Sequence, residues 1–126
     1  MASIIWDLDF KILEWNSSAE RIFGYKAEEV VGKHNEDLLT PPHLREEMKK
    51  LRETSFIEER TFRNINENIT KSGEIIICDW YSVTLKDSEN KRIGSACLID
   101  DITDRVNSKK ELEKSEKKYR DLFEKS

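Results

Sequence analysis

The feature that most constrains the fold is the last third of the chain, where an apolar strand passes into a charged helix. Residues 92–100 have strand character, Asp101-Ile102-Thr103 follows at once, and no Gly or Pro separates this corner from the helical pattern beyond it. The segment 104–126 has 14 charged residues among 23, too little apolar surface to pack on a core. We therefore expect one compact domain over residues 1–103 and a linker helix over residues 104–126.

Composition excludes several classes of function. A chain of 126 residues supports a single core of about 100 residues plus an extension. Its net charge of -4 is carried by interspersed charges of both signs, so there is no basic stripe and we expect no nucleic-acid partner. No apolar run approaches the roughly 20 residues of a membrane span, and the N-terminus lacks a signal-peptide pattern. We expect a cytoplasmic fragment without membrane contact.

Two cysteines, Cys78 and Cys97, lie in apolar, strand-like runs and not at a metal-ligand spacing. This placement predicts two reduced, buried thiols in a cytosolic protein. A disulfide between neighbouring strands is the alternative. We expect no metal site, because no cluster of His, Cys or carboxylate residues converges in the sequence.

The first third of the chain predicts two short strands followed by two short helices. The strands cover residues 3–6 and 12–15. Ser17 and Glu20 have the spacing of a capping box at the start of the first helix. Gly24 is placed to end that helix in a left-handed conformation.

The middle of the chain predicts a longer helix and then three strands. A second short helix covers residues 27–31, and the prolines 41–42 precede a helix whose apolar stripe is Leu44, Met48 and Leu51. The predicted strands cover residues 57–70, 74–86 and 92–100, and short turns make them antiparallel neighbours. The order predicts an α+β fold, with helices on one face of the sheet and a pocket between the two layers.

Five segments in this order resemble the PAS domain, the sensor module of bacterial and archaeal signalling proteins. They are Asp7-Leu8-Asp9, residues 15–25 (WNSSAERIFGY), residues 28–33 (EEVVGK), residues 71–74 (KSGE) and residues 101–105 (DITDR). Residues 115–124 are similar to the segment that commonly precedes the next PAS domain of a tandem array. The resemblance implies a PAS-like fold, a five-stranded antiparallel sheet with helices on one face and a C-terminal linker helix. It also implies a larger parent protein, a sensor histidine kinase of a two-component system.

The resemblance also implies where a signal leaves the domain. In the family it passes through the corner formed here by Asp101, Ile102 and Thr103, and we add Arg105 to these coupling residues. Short oxygen-bearing side chains such as Asp101 and Thr103 also accept the free amides at a helix start. An ordinary helix cap is therefore the alternative, and one residue can serve both purposes.

Strand alternation indicates which residues face the pocket. If Asp79 points to solvent or to a partner, then Ile76, Cys78, Trp80 and Ser82 point inward. The pattern of the family adds residues from neighbouring elements. The ligand-pocket candidates are Phe23, Met48, Asn68, Cys78, Trp80, Ser82, Cys97 and Ile99. Ordinary core packing is the alternative for each of them.

The family's known cofactors fit this sequence poorly, so the ligand is unknown. Flavin-binding light-oxygen-voltage members have a reactive cysteine where this chain has Asn35, and a phosphate-binding Arg where it has Glu36. Haem-binding members have a proximal His where this chain has Met48. The two histidines, His34 and His43, do not fall on the apolar stripe of that helix. The pattern disfavours both flavin and haem.

These observations predict a non-catalytic sensory and dimerisation domain. The pattern Leu112, Ser115, Tyr119 and Leu122 is a thin coiled-coil seam, so we expect a homodimer through the linker helix and the sheet. A solvated helix that frays is the alternative for this segment. A ligand-free spacer in a tandem array is the alternative function. An enzyme would need a carboxylate or His inside the pocket, and Asp101 is the only candidate near it.

Overall fold

A computed structural model describes residues 1–35, 37–58 and 61–124 of the chain. The strands are β1 (Ala2–Asp7), β2 (Ile12–Trp15), β3 (Phe62–Ile69), β4 (Ile75–Lys86) and β5 (Arg92–Asp101). The helices are α1 (Ser17–Phe23), α2 (Ala27–Val30), α3 (Arg45–Glu58), which follows a 3-10 turn at Pro42–Leu44, and α4 (Thr103–Glu124). The five strands form one antiparallel sheet in the order β2-β1-β5-β4-β3. The predicted α+β fold is confirmed.

The centre of the sheet is the pairing of β5 with both β1 and β4. β4 pairs with β5 from Cys78, opposite Asp101, to Lys86, opposite Arg92. On its other edge β5 approaches β1 so closely at Gly94 that an added Cβ would lie 2.1 Å from the carbonyl oxygen of Trp6. Only glycine fits at this position, because any side chain would overlap the neighbouring backbone.

The core lies between the inner face of the sheet and the first two helices. Ala2 and Ile4 of β1 are fully buried, as are Ala19 and Phe23 of α1. The Trp15 ring closes the N-terminal side, with its centroid 5.7 Å from that of Phe23. The burial of these apolar side chains is the main favourable term for folding.

The start of α1 differs from the sequence prediction by one residue. Asn16, not Ser17, is the N-cap, and its Oδ1 atom accepts the backbone N–H of Ala19 at 2.9 Å. The same Oδ1 accepts the N–H of Ser3 at 3.0 Å, so the cap also joins the helix to β1. The predicted capping box at Ser17 is wrong, since Glu20 Oε2 instead accepts the N–H of Ala27 at the start of α2. Gly24 ends α1 with φ +84°, as predicted.

Other boundaries move by a few residues. The strand predicted over residues 57–70 begins only at Phe62, because α3 continues through Glu58, and residues 59 and 60 lie outside the described part. The second short helix stops at Val30 and not at residue 31. Within the described ranges, no helix has both the length and the apolar character to cross a membrane.

The N-cap predicts a matched pair of stability changes. Asn16→Ala removes an acceptor shared by Ala19 and Ser3, so the free energy of unfolding is expected to fall by about 1–2 kcal/mol. Ser17→Ala, one residue along on the exposed side of α1, is expected to change it by less than about 0.5 kcal/mol. Urea unfolding of both variants measures the difference, and equal losses would contradict the assignment of Asn16 as the cap.

Candidate functional site

A cavity of about 100 Å³ lies between the inner sheet face and α3. Five of the eight predicted pocket residues are on its wall: Met48, Asn68, Trp80, Ser82 and Cys97. Several wall residues, among them Trp80 and Met48, are only half-buried, so the cavity opens to solvent on one side. Whether these residues bind a ligand stays a prediction.

The other three predicted residues lie in the packed core and not on the cavity wall. Phe23, Cys78 and Ile99 are completely buried. Phe23 supports the wall from behind, since its ring centroid is 6.3 Å from that of Trp80. All three belong to the core cluster shared by α1 and the sheet, and the Phe23 carbonyl accepts the N–H of Lys71 in the β3–β4 turn.

A buried hydrogen-bond chain fixes the shape of the cavity. The indole Nε1–H of Trp80 donates to Asn68 Oδ1 at 2.8 Å, and Asn68 Nδ2 donates to the carbonyl oxygen of Leu39 at 3.0 Å. Asn68 is 2% exposed, so both bonds are protected from water. Because the amide is satisfied on both sides, it locks the Trp80 ring and holds the segment before α3 against β3.

Sequence reasoning missed several wall residues. Asn64 and Asn66 of β3, Ser95 of β5, and the aromatic rings of Trp6 and Phe10 also line the cavity. The two asparagines could have been found by extending the alternation two and four residues back from Asn68. Phe10 could not, because it reaches the cavity from a turn in which its φ is +61°.

The aromatic wall is formed by side chains from separate strands. The rings of Trp6 and Trp80 are parallel within 3° and their centroids are 6.2 Å apart. Phe10 meets Trp6 edge-on at 6.1 Å. Such contacts stabilise rings beyond the burial of their area and hold them in fixed orientations.

Both cysteines are free thiols, so the alternative of a disulfide is wrong. The strand register explains this result, because Cys97 is opposite Ser82 and Cys78 is opposite Asp101. The Cys97 Sγ lies 3.2 Å from Ser82 Oγ. Burial raises the pKa of the Cys78 thiol to about 12, and burial also raises the pKa of Cys97.

The corner between β5 and α4 is tied to β4 by two hydrogen bonds to Ile77 and is closed by two more within the corner itself. Ile77 uses both of its backbone groups: its N–H donates to Thr103 Oγ1 at 2.9 Å, and its carbonyl accepts the N–H of Ile102 at 2.9 Å. Asp101 Oδ1 accepts the Thr103 hydroxyl at 2.5 Å and the Thr103 N–H at 3.0 Å. The predicted coupling residues therefore connect α4 to two strands. Their role in signalling stays a prediction.

A row of ion pairs crosses the outer face of the sheet beside this corner. Arg63 of β3 makes two hydrogen bonds to Asp79 of β4, at 2.8 and 3.1 Å. Asp100 of β5, the register partner of Asp79, accepts a hydrogen bond from Arg105 of α4 at 2.5 Å. Hydrogen bonding to Arg63 holds the pKa of the Asp79 carboxyl below its ordinary value. The first turn of α4 is thus bound to the sheet by charge as well as by backbone.

The cavity offers little space and few side chains for binding a cofactor. A cavity of about 100 Å³ is smaller than the roughly 300–1,000 Å³ of pockets that enclose cofactors. Asn35 lines the cavity, and Glu36 lies outside the described residues. His34 and His43 are exposed, with partners in Asp9 and Glu67. In the part of the chain that the structure describes, no three His, Cys, Asp or Glu residues group as metal ligands would.

The sequence matches a known protein family over almost the whole of the folded domain. A family model described as "PAS domain" matches residues 1–104. The chain belongs to the PAS-domain family. PAS domains are in general sensory and signalling modules without catalytic activity of their own. No curated protein matches the sequence.

Solved structures agree with this fold. A PAS domain from Colwellia psychrerythraea is 21% identical with a TM-score of 0.76, and the match covers 82% of this chain and 86% of that one. An RNA-binding light-oxygen-voltage receptor is 20% identical with a TM-score of 0.73, covering 92% of this chain but 33% of its own. A light-oxygen-voltage domain from work on a flavin analogue is 18% identical with a TM-score of 0.72, covering 91% and 87%. Likeness at this level establishes the PAS fold alone.

The pKa of Cys78 predicts how the PAS domain reacts with alkylating agents. A pKa raised to about 12 means that the thiol stays protonated at pH about 9, where an ordinary cysteine is largely thiolate. Iodoacetamide at that pH is therefore expected to label Cys78 and Cys97 far more slowly in the folded chain than in urea. Mass spectrometry of the labelled protein measures both rates. Equal rates in a chain whose circular dichroism remains native would contradict the burial of these thiols.

Proposed function

We propose that this PAS domain is a non-catalytic sensory and dimerisation module that transmits the state of its cavity, or of a bound partner, to α4. Its context in this proposal is a sensor histidine kinase of a two-component system. The observation that supports it best is the pair of hydrogen bonds that the Ile77 backbone makes with Ile102 and Thr103. These bonds tie the start of α4 to the strand that carries part of the cavity wall.

Transmission in this proposal runs along β4. Trp80 and Ser82 face the cavity from this strand, while Ile77, only a few residues away, holds the corner. A ligand that displaces the Trp80 ring would move the same backbone that positions α4. A ligand can shift this equilibrium only by its difference in affinity for the two arrangements of the strand.

The proposed homodimer uses α4 and the outer face of the sheet. On α4 the side chains of Leu112, Tyr119 and Leu122 are at least 60% exposed, which leaves the coiled-coil seam without a covering in the single chain. On the sheet, Tyr81 and Leu98 are register partners and both are 47% exposed. Apolar rows at heptad spacing are typical of helices that pair with a second copy.

A ligand-free spacer in a tandem PAS array is the second candidate. The small volume of the cavity favours it, because the rings of Trp6 and Trp80 fill much of the space between the layers. Both candidates are non-catalytic, and among the described wall residues Cys97 alone is ionisable, with its pKa raised by burial. The two free thiols suit a reducing compartment, so we place the domain in the cytoplasm. Native mass spectrometry separates the two candidates by the presence or absence of a bound small molecule.

Transmission predicts a specific effect at Thr103. Thr103→Val keeps the shape of the side chain but removes the acceptor of the Ile77 N–H and the hydroxyl that donates to Asp101. Amide hydrogen exchange in the first turn of α4 is expected to rise, and the free energy of unfolding to fall by about 1 kcal/mol or more. In the parent signalling protein the same change is expected to uncouple output from stimulus.

Thr103→Ser is the matched control, because it retains the hydroxyl and should leave exchange and output close to wild type. Hydrogen-exchange mass spectrometry measures the exchange in α4, and a signalling assay of the parent protein measures the output. Wild-type exchange in α4 together with wild-type output in the valine variant would show that the corner does not transmit the signal.

The proposed dimer predicts that a charge introduced on either exposed apolar surface will weaken association of the two copies. Leu122→Glu on α4 and Leu98→Glu on the sheet are each expected to weaken the dimer, since each places a carboxylate in an apolar contact. Leu8→Glu is the control, because Leu8 is 49% exposed but belongs to the β1–β2 turn. Sedimentation velocity at micromolar concentration measures all three. A wild-type chain that sediments as a strict monomer would exclude this dimer.

A further inference from the structure

The cavity wall differs in charge from the rest of the chain. Of all residues, 38% are charged, yet none of the described wall residues is Asp, Glu, Lys, Arg or His. A charged ligand would lose its water there without gaining an opposite charge, which is costly. The wall therefore favours an uncharged ligand.

The polar groups of the wall are concentrated on β3. Asn68 is already committed to Trp80 and Leu39, but Asn64 is half-buried and retains unused capacity. Its Nδ2 donates one hydrogen to Asn66 Oδ1 at 2.9 Å, and its other contact is the thioether of Met48 at 4.0 Å, a weak acceptor. Among the described residues, no group donates to Asn64 Oδ1. Asn64 thus offers one acceptor and one donor side by side.

A flat apolar surface lies directly beside this amide. Asn64 and Trp80 are register partners in the β3–β4 pairing, so their side chains are neighbours on the inner face. The Trp80 ring is held by its bond to Asn68 and is parallel to the ring of Trp6. A planar ring placed against Trp80 would put a polar edge within reach of Asn64.

The volume sets the size of the ligand. An enclosed cavity of roughly 150 Å³ is enough to bind benzene. The cavity here has a volume of about 100 Å³ and is open on one side, so it suits a ligand with a single six-membered ring that extends partly through the opening. Larger cofactors of fused rings exceed this space.

We infer that the cavity takes a small, uncharged, single-ring aromatic molecule with an amide-like edge, which packs on Trp80 and pairs with Asn64. This inference rests on the proposed function, in which the cavity is the sensory site. In the pairing, the ligand N–H donates to Asn64 Oδ1, and the ligand carbonyl accepts the hydrogen that now points at Met48.

A charge series on one molecular shape tests this ligand class on the full chain. Benzamide, benzoate and benzamidinium share a ring and a planar end group but are neutral, negative and positive. Benzamide is expected to bind in the millimolar range and about tenfold or more tighter than either ion. Nuclear magnetic resonance titration is expected to show shifts at the Trp80 indole N–H and the Asn64 side-chain amide.

Asn64→Leu tests the pairing with a change of similar size. It is expected to weaken benzamide binding about tenfold. Asn107→Leu, on the exposed surface of α4, is the matched control and should leave binding unchanged. The charge series on the wild-type chain needs no variant, so the inference can be tested even if Asn64→Leu does not fold.

Three results would overturn this ligand class. They are benzoate or benzamidinium binding as tightly as benzamide, benzamide shifts located away from Trp80, and no binding of benzamide in the millimolar range. Each leaves the Thr103→Val experiment unaffected, so failure of the ligand class is distinct from failure of the proposed function. Conversely, binding of benzamide with wild-type behaviour of Thr103→Val would retain the ligand class and reject transmission.

Discussion

The side-chain amide of Asn68 is the polar group on which the hollow half of this domain depends. An amide that is 2% exposed must find partners inside the protein, and Asn68 finds one in the Trp80 indole and one in the Leu39 carbonyl. The Leu39 carbonyl also accepts the N–H of Ile69, so the segment before α3 is held along the edge of β3. One buried side chain therefore holds both the Trp80 ring and the segment that carries Leu39 at the cavity.

Strand β4 contributes both to the cavity wall and to the contacts at the corner where β5 leads into α4. β4 lies between β3 and β5, and consecutive side chains alternate between the cavity and the outer face, where Asp79 meets Arg63. The backbone N–H and carbonyl of Ile77 in the same strand form hydrogen bonds with Thr103 and Ile102, the first residues beyond β5. The cavity wall, the outer ion pair and the start of α4 are therefore all joined to the one backbone of β4.

Much of this architecture could be predicted from the sequence, and the failures have physical reasons. Alternation predicts the correct face of β4, but it does not show how deeply a side chain is buried, so it groups Cys78 with Trp80 although Cys78 lies in the packed core and outside the cavity. The cap of α1 was misplaced by one residue because Asn16 and Ser17 both carry a suitable oxygen, and the choice depends on the contact with Ser3. Asn64 and Asn66 lie within the strand predicted over residues 57–70 and on the same face as Asn68, so the alternation applied to β4 could have identified them if extended to β3.

The unbroken passage from β5 into α4 has a geometric consequence. The 22 residues of α4, at a rise of about 1.5 Å each, make a rod about 33 Å long. If its first turn tilts by about 5° on the sheet, the far end of such a rod sweeps about 3 Å, more than half of one helical pitch. Rearrangements near Ile77 that are too small to alter the shape of the sheet would therefore appear enlarged at the far end of α4.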